Sequence, residues 1–383
     1  MMNKILALVA ALAMSCFGSM VFAAEGDAPV VKGNIEIYGA AKLSVDVIDT
    51  GAKATGADKS LTKVSSNSSR IGFKGSEALS DDLSTVYQLE LGVNMDGTTT
   101  TVSNATTTTA ASTTTVNSIG LRNSFVGLKS KSLGMVILGT HDTPYKLATL
   151  QFDPFGDSMA DYNAIIGNVN GTANFDLRPK DVIAYVSPSL GGAVITVAKV
   201  QTGTESASSS TSQTVDAYSA SATYNAGPLA LALAYEVHQN GVSSWESSPD
   251  KKNAGLKLGA GYTFGGTKVG FVFESLKDDT DKTAYSRDAM YLSVSQKLGN
   301  ETIKLAYGNA ADGKSTADTA ATMLAIGADH AFSKRTSAYV LYAAVANNKG
   351  ASYGLGQGGA GGAYKGSADE DPSVISFGMN HSF

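Results

Sequence analysis

Residue types that commonly build reactive or metal-binding sites are scarce in this chain of 383 residues, which has one cysteine and four histidines. The cysteine, Cys16, lies in an N-terminal segment that we expect to be removed, so neither disulfides nor thiol chemistry can contribute to the rest of the chain. The histidines show no HxxxH spacing and there is no CxxC pair, so we predict no metal site and no cofactor. We also find no preorganised nucleophile and base, and therefore do not expect an enzyme.

Long hydrophobic runs are absent beyond the first 23 residues. The longest unbroken apolar run, at residues 338–346, is well short of the ~18 or more residues that would suggest a membrane helix. Proline is sparse, with 8 residues, and no proline-rich linker or change of periodicity divides the chain. Any contact with a membrane must therefore come from β-strands in one continuous architecture.

Charge of either sign is limited. Charged residues make up 16% of the chain, and the formal net charge is -5. Loss of Lys4 with the N-terminal segment would change the net charge from -5 to -6, because that segment has no other charged residue. A mildly acidic chain argues against nucleic acid as a partner.

The N-terminal segment has the pattern of an export signal. Lys4 precedes an apolar stretch at residues 5–14, and residues 21–23 are small or apolar where a signal peptidase would cleave. An uncleaved anchor is the alternative, but the stretch is shorter than the ~20 apolar residues of a spanning helix. We therefore expect a signal peptide at residues 1–23 and a single mature domain at residues 24–383.

Beyond this segment, apolar side chains recur at every second position. The pattern runs from Asn34 to Val47 and returns over residues 229–237, 256–264 and 269–273. Successive side chains of a strand point to opposite faces, so a period of two predicts β-strands. A secreted β-sandwich or β-solenoid also has alternating strands and is the alternative fold.

The connections between strands alternate in length. Short turns are predicted near Asp81, Ser132, Ser189, Gly227, Gly265, Gly299 and Lys334. Long polar segments lie near residues 49–60, 96–115, 142–178, 202–214, 239–252, 276–287, 310–319 and 347–372. This asymmetry is typical of an outer-membrane barrel, in which a closed sheet satisfies every backbone hydrogen bond. We predict an all-β chain: a 16-stranded antiparallel transmembrane β-barrel with short periplasmic turns and long extracellular loops.

The last strand ends the chain on an aromatic residue. The side chains that share one face of it are Ile375, Phe377, Met379, His381 and Phe383. We expect this mostly apolar face to meet lipid. Pairing of the strand with residues 34–48 would close the barrel.

Residues 68–77 (SSRIGFKGSE), 122–128 (RNSFVGL) and 378–383 (GMNHSF) resemble the Gram-negative general porin family. Their order and separation match the second, fourth and last strands of these trimeric, sixteen-stranded diffusion channels. Similarity at residues 182–192 and 332–342 extends the match over most of the mature chain. The resemblance implies a water-filled channel in the outer membrane of a Gram-negative bacterium, for passive diffusion of ions and small hydrophilic solutes.

Two basic residues of the second strand are predicted to face the lumen. Ile71 and Phe73 point outward, which turns Arg70 and Lys74 inward. For Arg122, whose strand has apolar groups on both faces, the inward direction is implied only by the family resemblance. The alternative is a solvated charge at the rim of the barrel.

The long segment at residues 143–178 contains Asp153, Asp157 and Asp161. In the porins the third loop folds inward and narrows the barrel, so by resemblance these aspartates would oppose the three basic residues. A narrow pore brings every solute within the Debye length of ~8 Å at physiological salt, so opposed charges would filter solutes by size and charge. Alternatively, the aspartates are solvated in an external loop or cap short helical turns.

The resemblance also implies partners. We expect a homotrimer in outer-membrane lipid, with the threonine-rich residues 96–115 forming either a latch on a neighbouring subunit or a mobile surface tract. The barrel-assembly machinery would read a C-terminal signal that contains Phe377, Met379, His381 and Phe383. Ions and small hydrophilic solutes would be the cargo.

Some features depart from this interpretation. At Thr140 the porins often have an arginine, so one expected wall charge is missing. A substrate-selective outer-membrane channel, or less favourably a surface adhesin or structural barrel, is the alternative function.

Gly354, Gly356 and Gly359 match a GxGxxG pattern, but they lie in a long loop without the strand and helix of a dinucleotide site. The sequence predicts no preference between anions and cations.

Overall fold

The computed structural model describes residues 34–53, 60–97, 101–104, 112–115, 119–173, 175–203, 214–239, 252–278, 286–356 and 363–383. The predicted signal peptide and much of the threonine-rich segment lie outside the described residues. Within these ranges the chain forms antiparallel sheet with one short helix. No helix of the described residues is long and apolar enough to cross a membrane.

Sixteen barrel strands are present in the described part of the chain, two of them briefly interrupted. Their bounds are β1 Asn34–Asp49, β2 Ser60–Ser66 continued by Arg70–Ala78, β3 Leu83–Val93, β4 Ile119–Leu121 continued by Ser124–Ser130, β5 Gly134–Thr140, β6 Val182–Val186, β7 Ala193–Gly203, β8 Thr214–Ala226, β9 Leu229–Gln239, β10 Lys252–Phe264, β11 Thr267–Asp278, β12 Arg287–Leu298, β13 Glu301–Ala310, β14 Ala321–Ala331, β15 Thr336–Asn347 and β16 Ser373–Ser382. Each strand pairs antiparallel with the next.

The last strand closes the sheet against the first. β16 pairs with β1 from Ala40 opposite Ser382 to Asp49 opposite Ser373. Beyond that ladder, the Gly39 amide donates to the Phe383 carbonyl oxygen at 3.0 Å, and the Phe383 amide donates to the Gly39 carbonyl oxygen at 3.1 Å. The predicted sixteen-stranded barrel and the predicted closure are both confirmed.

The connections follow the predicted asymmetry. Short turns join the strands at one end of the barrel, at every position where the sequence predicts them, and the strand ends that adjoin the long segments lie at the other end. Gly227, Gly265 and Gly299 open two-residue turns with φ values of 54, 57 and 65 degrees. Tight hairpin turns require such positive φ values, which glycine adopts without steric cost.

The outward side chains of the strands are mostly apolar, whereas most charged side chains of the strands face inward. On β9, for example, Leu231, Leu233 and Tyr235 are exposed, and on β10 Lys257 is fully buried. Near the turn end, aromatic side chains such as Phe264 stay exposed. A soluble sheet would bury one of its apolar faces, so this distribution excludes the β-sandwich and fits a wall that faces lipid.

Loop 3, residues 141–181, joins β5 to β6 and carries the helix α1, Pro144–Thr149. Pro144 begins the helix and the Thr143 hydroxyl accepts from the Lys146 amide at 3.3 Å, which satisfies a backbone donor at its first turn. Two short 3-10 turns follow, at Leu150–Phe152 and Tyr162–Ala164.

Replacing Gly39 with valine should destabilise the closure of the barrel. A Cβ atom at Gly39 would meet the ring of Phe383 and lie 2.7 Å from the Arg70 carbonyl oxygen. Overpacking of this kind typically costs about 1–3 kcal/mol. The measurement is the temperature at which the folded barrel unfolds in detergent, followed by its mobility on gels. Ala41→Val, on the same face of β1, should leave that temperature unchanged, and equal effects of both variants would contradict the prediction.

Candidate functional site

Loop 3 fills one side of the lumen. Its helix α1 contacts β8, β9 and β10. Phe152 and Ile165 of the loop are buried in a hydrophobic core that also includes the wall residues Val272 and Tyr291. This part of the lumen is closed by packed side chains.

The loop backbone is also hydrogen-bonded to the filled side of the wall. The Ser293 hydroxyl of β12 donates to the Phe152 carbonyl oxygen at 2.6 Å. The Lys268 ammonium of β11 donates to the Gln151 carbonyl oxygen at 2.6 Å. These bonds satisfy backbone acceptors that packing removes from water.

Across the lumen, Asp157 connects loop 3 to the opposite wall. Its carboxylate lies 2.9 Å from the Lys42 Nζ of β1 and 3.4 Å from the Arg70 Nη1 of β2. Asp157 has a φ of 58 degrees, a left-handed conformation that aspartate tolerates better than most residues. Burial by itself would raise the pKa of Asp157, but Lys42 and Arg70 outweigh it, so the pKa lies below its ordinary value and the residue is ionised.

Glu90 of β3 links the basic residues of this wall. Its carboxylate lies 2.7 Å from the Arg122 Nε and 3.8 Å from the Arg70 Nε, and it accepts a hydrogen bond from the Tyr38 hydroxyl at 2.9 Å. Arg122 follows the first segment of β4, where the strand is interrupted. Such interruptions re-aim side chains, and here the Arg122 guanidinium reaches the lumen.

A second charged group surrounds Asp142 near the start of loop 3. The Asp142 carboxylate lies 3.0 Å from the Lys146 Nζ and 3.2 Å from the Arg178 Nη2. Asn123 donates to the same carboxylate at 2.9 Å and accepts from the Arg178 Nε at 2.9 Å. Burial would raise the pKa of Asp142, but the two cations lower it below its ordinary value.

The two charged groups line one cavity of about 410 Å³ between loop 3 and the wall. Its lining residues are Ser68, Arg70, Glu90, Arg122, Asn123, Asp142, Lys146, Leu150, Asp153, Gly156, Asp157, Asp161, Asn163 and Arg178. Nearly all are polar, so the cavity suits water and hydrated solutes. In the described ranges, no group of three or more His, Cys, Asp or Glu side chains is arranged to hold a metal ion.

Asp153 and Asp161 form a pair of buried carboxyl groups on the loop side of the cavity. Asp153 accepts from the Tyr291 hydroxyl at 2.7 Å and from the Tyr162 amide at 3.0 Å. Asp161 accepts from the amides of Asp157 and Asn163, both at 2.9 Å. Burial and the neighbouring Asp153 carboxylate raise the pKa of Asp161 to about 8, so the pair keeps a proton at neutral pH.

The structure brings together part of the predicted site. Arg70 contacts Asp157, whereas Arg122 is held by Glu90 rather than by a loop aspartate. Asp153 and Asp161 line the cavity, but the hydrogen bonds described above tie them to the loop and to Tyr291, not to the basic wall.

Lys74 lies elsewhere, and its prediction as an opponent of loop 3 does not fit the structure. Its Nζ lies 3.1 Å from the Glu36 carboxylate and 5.0 Å from the centre of the Tyr38 ring. Lys74 and Glu36 are opposite each other near the turn end of β1 and β2. The side chain faces inward as predicted, but four residues along a strand separate it from Arg70 and from loop 3.

Other residues of the site were missed by the sequence reasoning. They are Lys42, Glu90, Asn123, Asp142, Lys146 and Arg178. Strand periodicity could have identified Lys42 and Glu90, because both alternate with outward apolar residues in the way that Arg70 does. Lys146 and Arg178 lie in loop 3, where no period predicts the direction of a side chain.

The site carries a small excess of positive charge. Among the described residues, the five cations are Lys42, Arg70, Arg122, Lys146 and Arg178. Glu90, Asp142 and Asp157 are opposed to them, and the Asp153 and Asp161 pair adds one further negative charge while it keeps its proton. Charges that line the cavity act on the solutes inside it, since their field extends over a Debye length of ~8 Å at physiological salt.

Solved structures of outer-membrane proteins share this architecture. An anion-selective porin from Comamonas acidovorans superposes with a TM-score of 0.71 and 22% identity, covering 92% of this chain and 100% of that chain. The trimer form of OmpT from Vibrio cholerae gives a TM-score of 0.63 and 14% identity, covering 92% of this chain and 99% of that one. At these identities the similarity shows the fold.

Sequence comparison shows the family. Outer membrane porin protein 32 of Delftia acidovorans is 26% identical over 374 residues, which cover 95% of this chain and 97% of that protein. Major outer membrane protein P.IA of Neisseria meningitidis serogroup A is 28% identical over 332 residues, covering 76% of this chain and 78% of that protein. The family model described as Gram-negative porin matches residues 7–350. The chain therefore belongs to the Gram-negative porin family and forms a channel in the outer membrane.

Proposed function

We propose that ions and small hydrophilic solutes cross this porin through the cavity beside loop 3, which forms the constriction of the channel. The observation that carries the proposal is Asp157, which extends from the loop to Lys42 and Arg70 on the opposite wall. Loop 3 closes the remainder of the lumen at this level with apolar packing. Solutes are thus filtered by size and by the charges of the cavity, without a tight binding step.

The balance of charge gives the constriction a weak preference for anions. Five cations are opposed by four negative charges near neutral pH, as described above. Three basic side chains, Arg70, Arg122 and Arg178, are guanidinium groups that keep their charge at any physiological pH. The structural neighbour from Comamonas acidovorans is described as an anion-selective porin, which supports the same preference for this chain.

The assembly of the channel follows from the same family relationship. We infer a homotrimer, since a structural neighbour from Vibrio cholerae is described in a trimer form. The exposed, C-terminal side chains Phe377, Met379, His381 and Phe383 would be read by the barrel-assembly machinery during insertion. A signal peptide at residues 1–23 would direct export before assembly.

Arg122→Ala and Asp157→Asn should shift the ion preference of the channel in opposite directions. Removing the cation should favour K⁺, and removing the carboxylate charge should favour Cl⁻, each by roughly two- to five-fold in the permeability ratio. Asparagine has the size of aspartate and tolerates the left-handed backbone at this position. The measurement is the reversal potential of a planar bilayer under a salt gradient.

Lys74→Ala is the matched control for these variants, because Lys74 faces the lumen away from the cavity and pairs with Glu36. Its reversal potential should stay close to that of the wild type. If neither Arg122→Ala nor Asp157→Asn shifts the potential, the constriction is wrongly placed. An absence of conductance would indicate a structural barrel, and saturation of conductance with salt would indicate a substrate-selective channel.

The anion preference should decrease as the pH rises through about 8. Asp161 has a pKa of about 8 in the folded protein, above its ordinary value. Below that pH the pair of Asp153 and Asp161 keeps one proton, and above it the cavity gains one negative charge. Reversal potentials measured between about pH 6 and about pH 9 should therefore show a step toward cations. Asp161→Asn cannot ionise, and the same step in that variant would contradict the assignment.

Protein extracted in detergent and left unheated should migrate on gels at about three times the monomer mass. Heating should convert this band to the monomer, because subunit contacts and the closed barrel are lost together. Chemical cross-linking before heating provides an independent count of subunits. Migration at the monomer mass without heating, with no cross-linked trimer, would contradict the inferred homotrimer.

A further inference from the structure

Three charged side chains on the filled side of the lumen are completely enclosed. Lys257 on β10, Glu274 on β11 and Arg287 on β12 are each no more than 1% exposed. Lys257 lies directly opposite Glu274 in the strand register. On the next strand, Glu274 is paired with Ala289. Arg287 lies two residues before Ala289 and is therefore diagonal to Glu274 on the same face of the sheet. Inward side chains at such positions are within contact distance of one another.

Glu274 is bound to both limbs of loop 3. One of its carboxylate oxygens accepts from the Tyr145 hydroxyl of α1, where the loop enters the lumen, at 2.9 Å. The two oxygens also accept from the Gly167 amide, on the returning limb, at 3.0 and 2.9 Å. A single wall carboxylate thus joins the inward and the outward paths of the loop.

The two buried cations complete this attachment. Arg287 lies 3.0 Å from the Glu274 carboxylate and donates to the carbonyl oxygens of Ile165, at 2.7 Å, and Asn168, at 3.0 Å. Lys257 is bonded to Asp176, near the end of the loop, and lies 3.9 Å from Glu274. Two cations are thus matched by two carboxylates without contact with solvent.

We propose that Glu274 is the positioning residue of the channel, which sets the place of loop 3 and thereby the width and charge of the constriction. Glu274 does not line the cavity. It acts through the loop, whose Asp157 it holds within reach of Lys42 and Arg70. This inference rests on the proposed function, because it takes loop 3 to form the constriction.

Apolar packing alone would hold the loop less specifically than this cluster. Hydrophobic contacts are non-directional, so the packing of the buried rings against the alanines of the wall does not by itself fix the loop's hydrogen-bonding groups at defined points. A buried carboxylate that is hydrogen-bonded at fixed positions has no such freedom, since displacement leaves a charge without a partner. Together with the bonds from Ser293 and Lys268, Glu274 therefore restricts the loop to one of the positions that packing permits.

Glu274→Gln is the informative variant, because glutamine has nearly the same volume and can still accept from Gly167. It removes the charge that balances Lys257 and Arg287, so the loop should become loosely held. We expect excess noise in the open-channel current and an increase of about 1.5-fold or more in single-channel conductance. The permeability ratio should move toward unity, since Asp157 would no longer stay beside the basic wall.

Tyr145→Phe tests the loop side of the same attachment. It removes the hydroxyl that donates to Glu274 and leaves the wall charges paired. The variant should change conductance and noise in the same direction as Glu274→Gln, but by less. Heat-resistant migration of both variants on gels establishes that the barrel itself is folded.

Asp46→Asn is the matched control. Asp46 is a second fully buried wall carboxylate, and it accepts from the hydroxyls of Ser65 and Ser376, both on the wall. Its loss perturbs a buried charge without touching loop 3, so current noise and conductance should stay at wild-type values. An effect equal to that of Glu274→Gln would show general loosening of the barrel and overturn the proposal.

The result can be separated from a failure of the proposed function. If Asp157→Asn shifts the reversal potential but folded Glu274→Gln keeps wild-type conductance and noise, the constriction stands and the positioning role is refuted. If Asp157→Asn has no effect while Glu274→Gln alters conductance, the proposed filter is wrong although the loop is held by Glu274. Changes in both variants, with Asp46→Asn silent, support the positioning role.

Discussion

The structure depends on one constraint: a strand surrounded by lipid must have all its backbone hydrogen bonds satisfied by neighbouring strands. The pairing of β16 with β1 meets that requirement and removes the free edges of the sheet. Because the outer wall faces lipid, the distribution of side chains is the reverse of that in a soluble protein. Leucine, valine and aromatic side chains cover the exterior, and the enclosed space contains lysine, arginine, aspartate and glutamate. The enclosed charged side chains need either water or a partner, whatever the channel transports.

Charged side chains inside the barrel must be either hydrated or paired with other groups. Loop 3 divides the lumen into an enclosed side, where they are paired, and an open side, where they line a cavity. On one side, rings such as Phe152 pack against alanines of the wall, and the charges of Lys257, Glu274 and Arg287 are enclosed and matched. On the other side, ion pairs remain at the surface of a cavity of about 410 Å³. The charged residues on the enclosed side hold loop 3 in place, since an unpaired charge there would be costly. Those on the open side act on solutes.

Strand periodicity and turn residues predict the barrel almost completely, because both depend on local chemistry. Each apolar position that alternates from Asn34 to Val47 lies on the outward face or is a small residue, and Gly227, Gly265 and Gly299 mark their turns. The site was predicted less well, since periodicity gives the face of a side chain but not its height in the barrel. Lys74 and Lys42 both face inward, and only the register places Lys42 beside Asp157.

The charged residues that hold loop 3 in place are not the ones that line the cavity. The residues that hold loop 3 lie on β10 to β12, whereas the basic residues of the cavity lie on β1, β2, β4 and the loop. Substitutions on the open wall remove no bond of the buried cluster, because no residue is shared between the two groups. Single replacements on the open wall can therefore change the charges that solutes meet while the hydrogen bonds from Tyr145 and Gly167 to Glu274 stay in place.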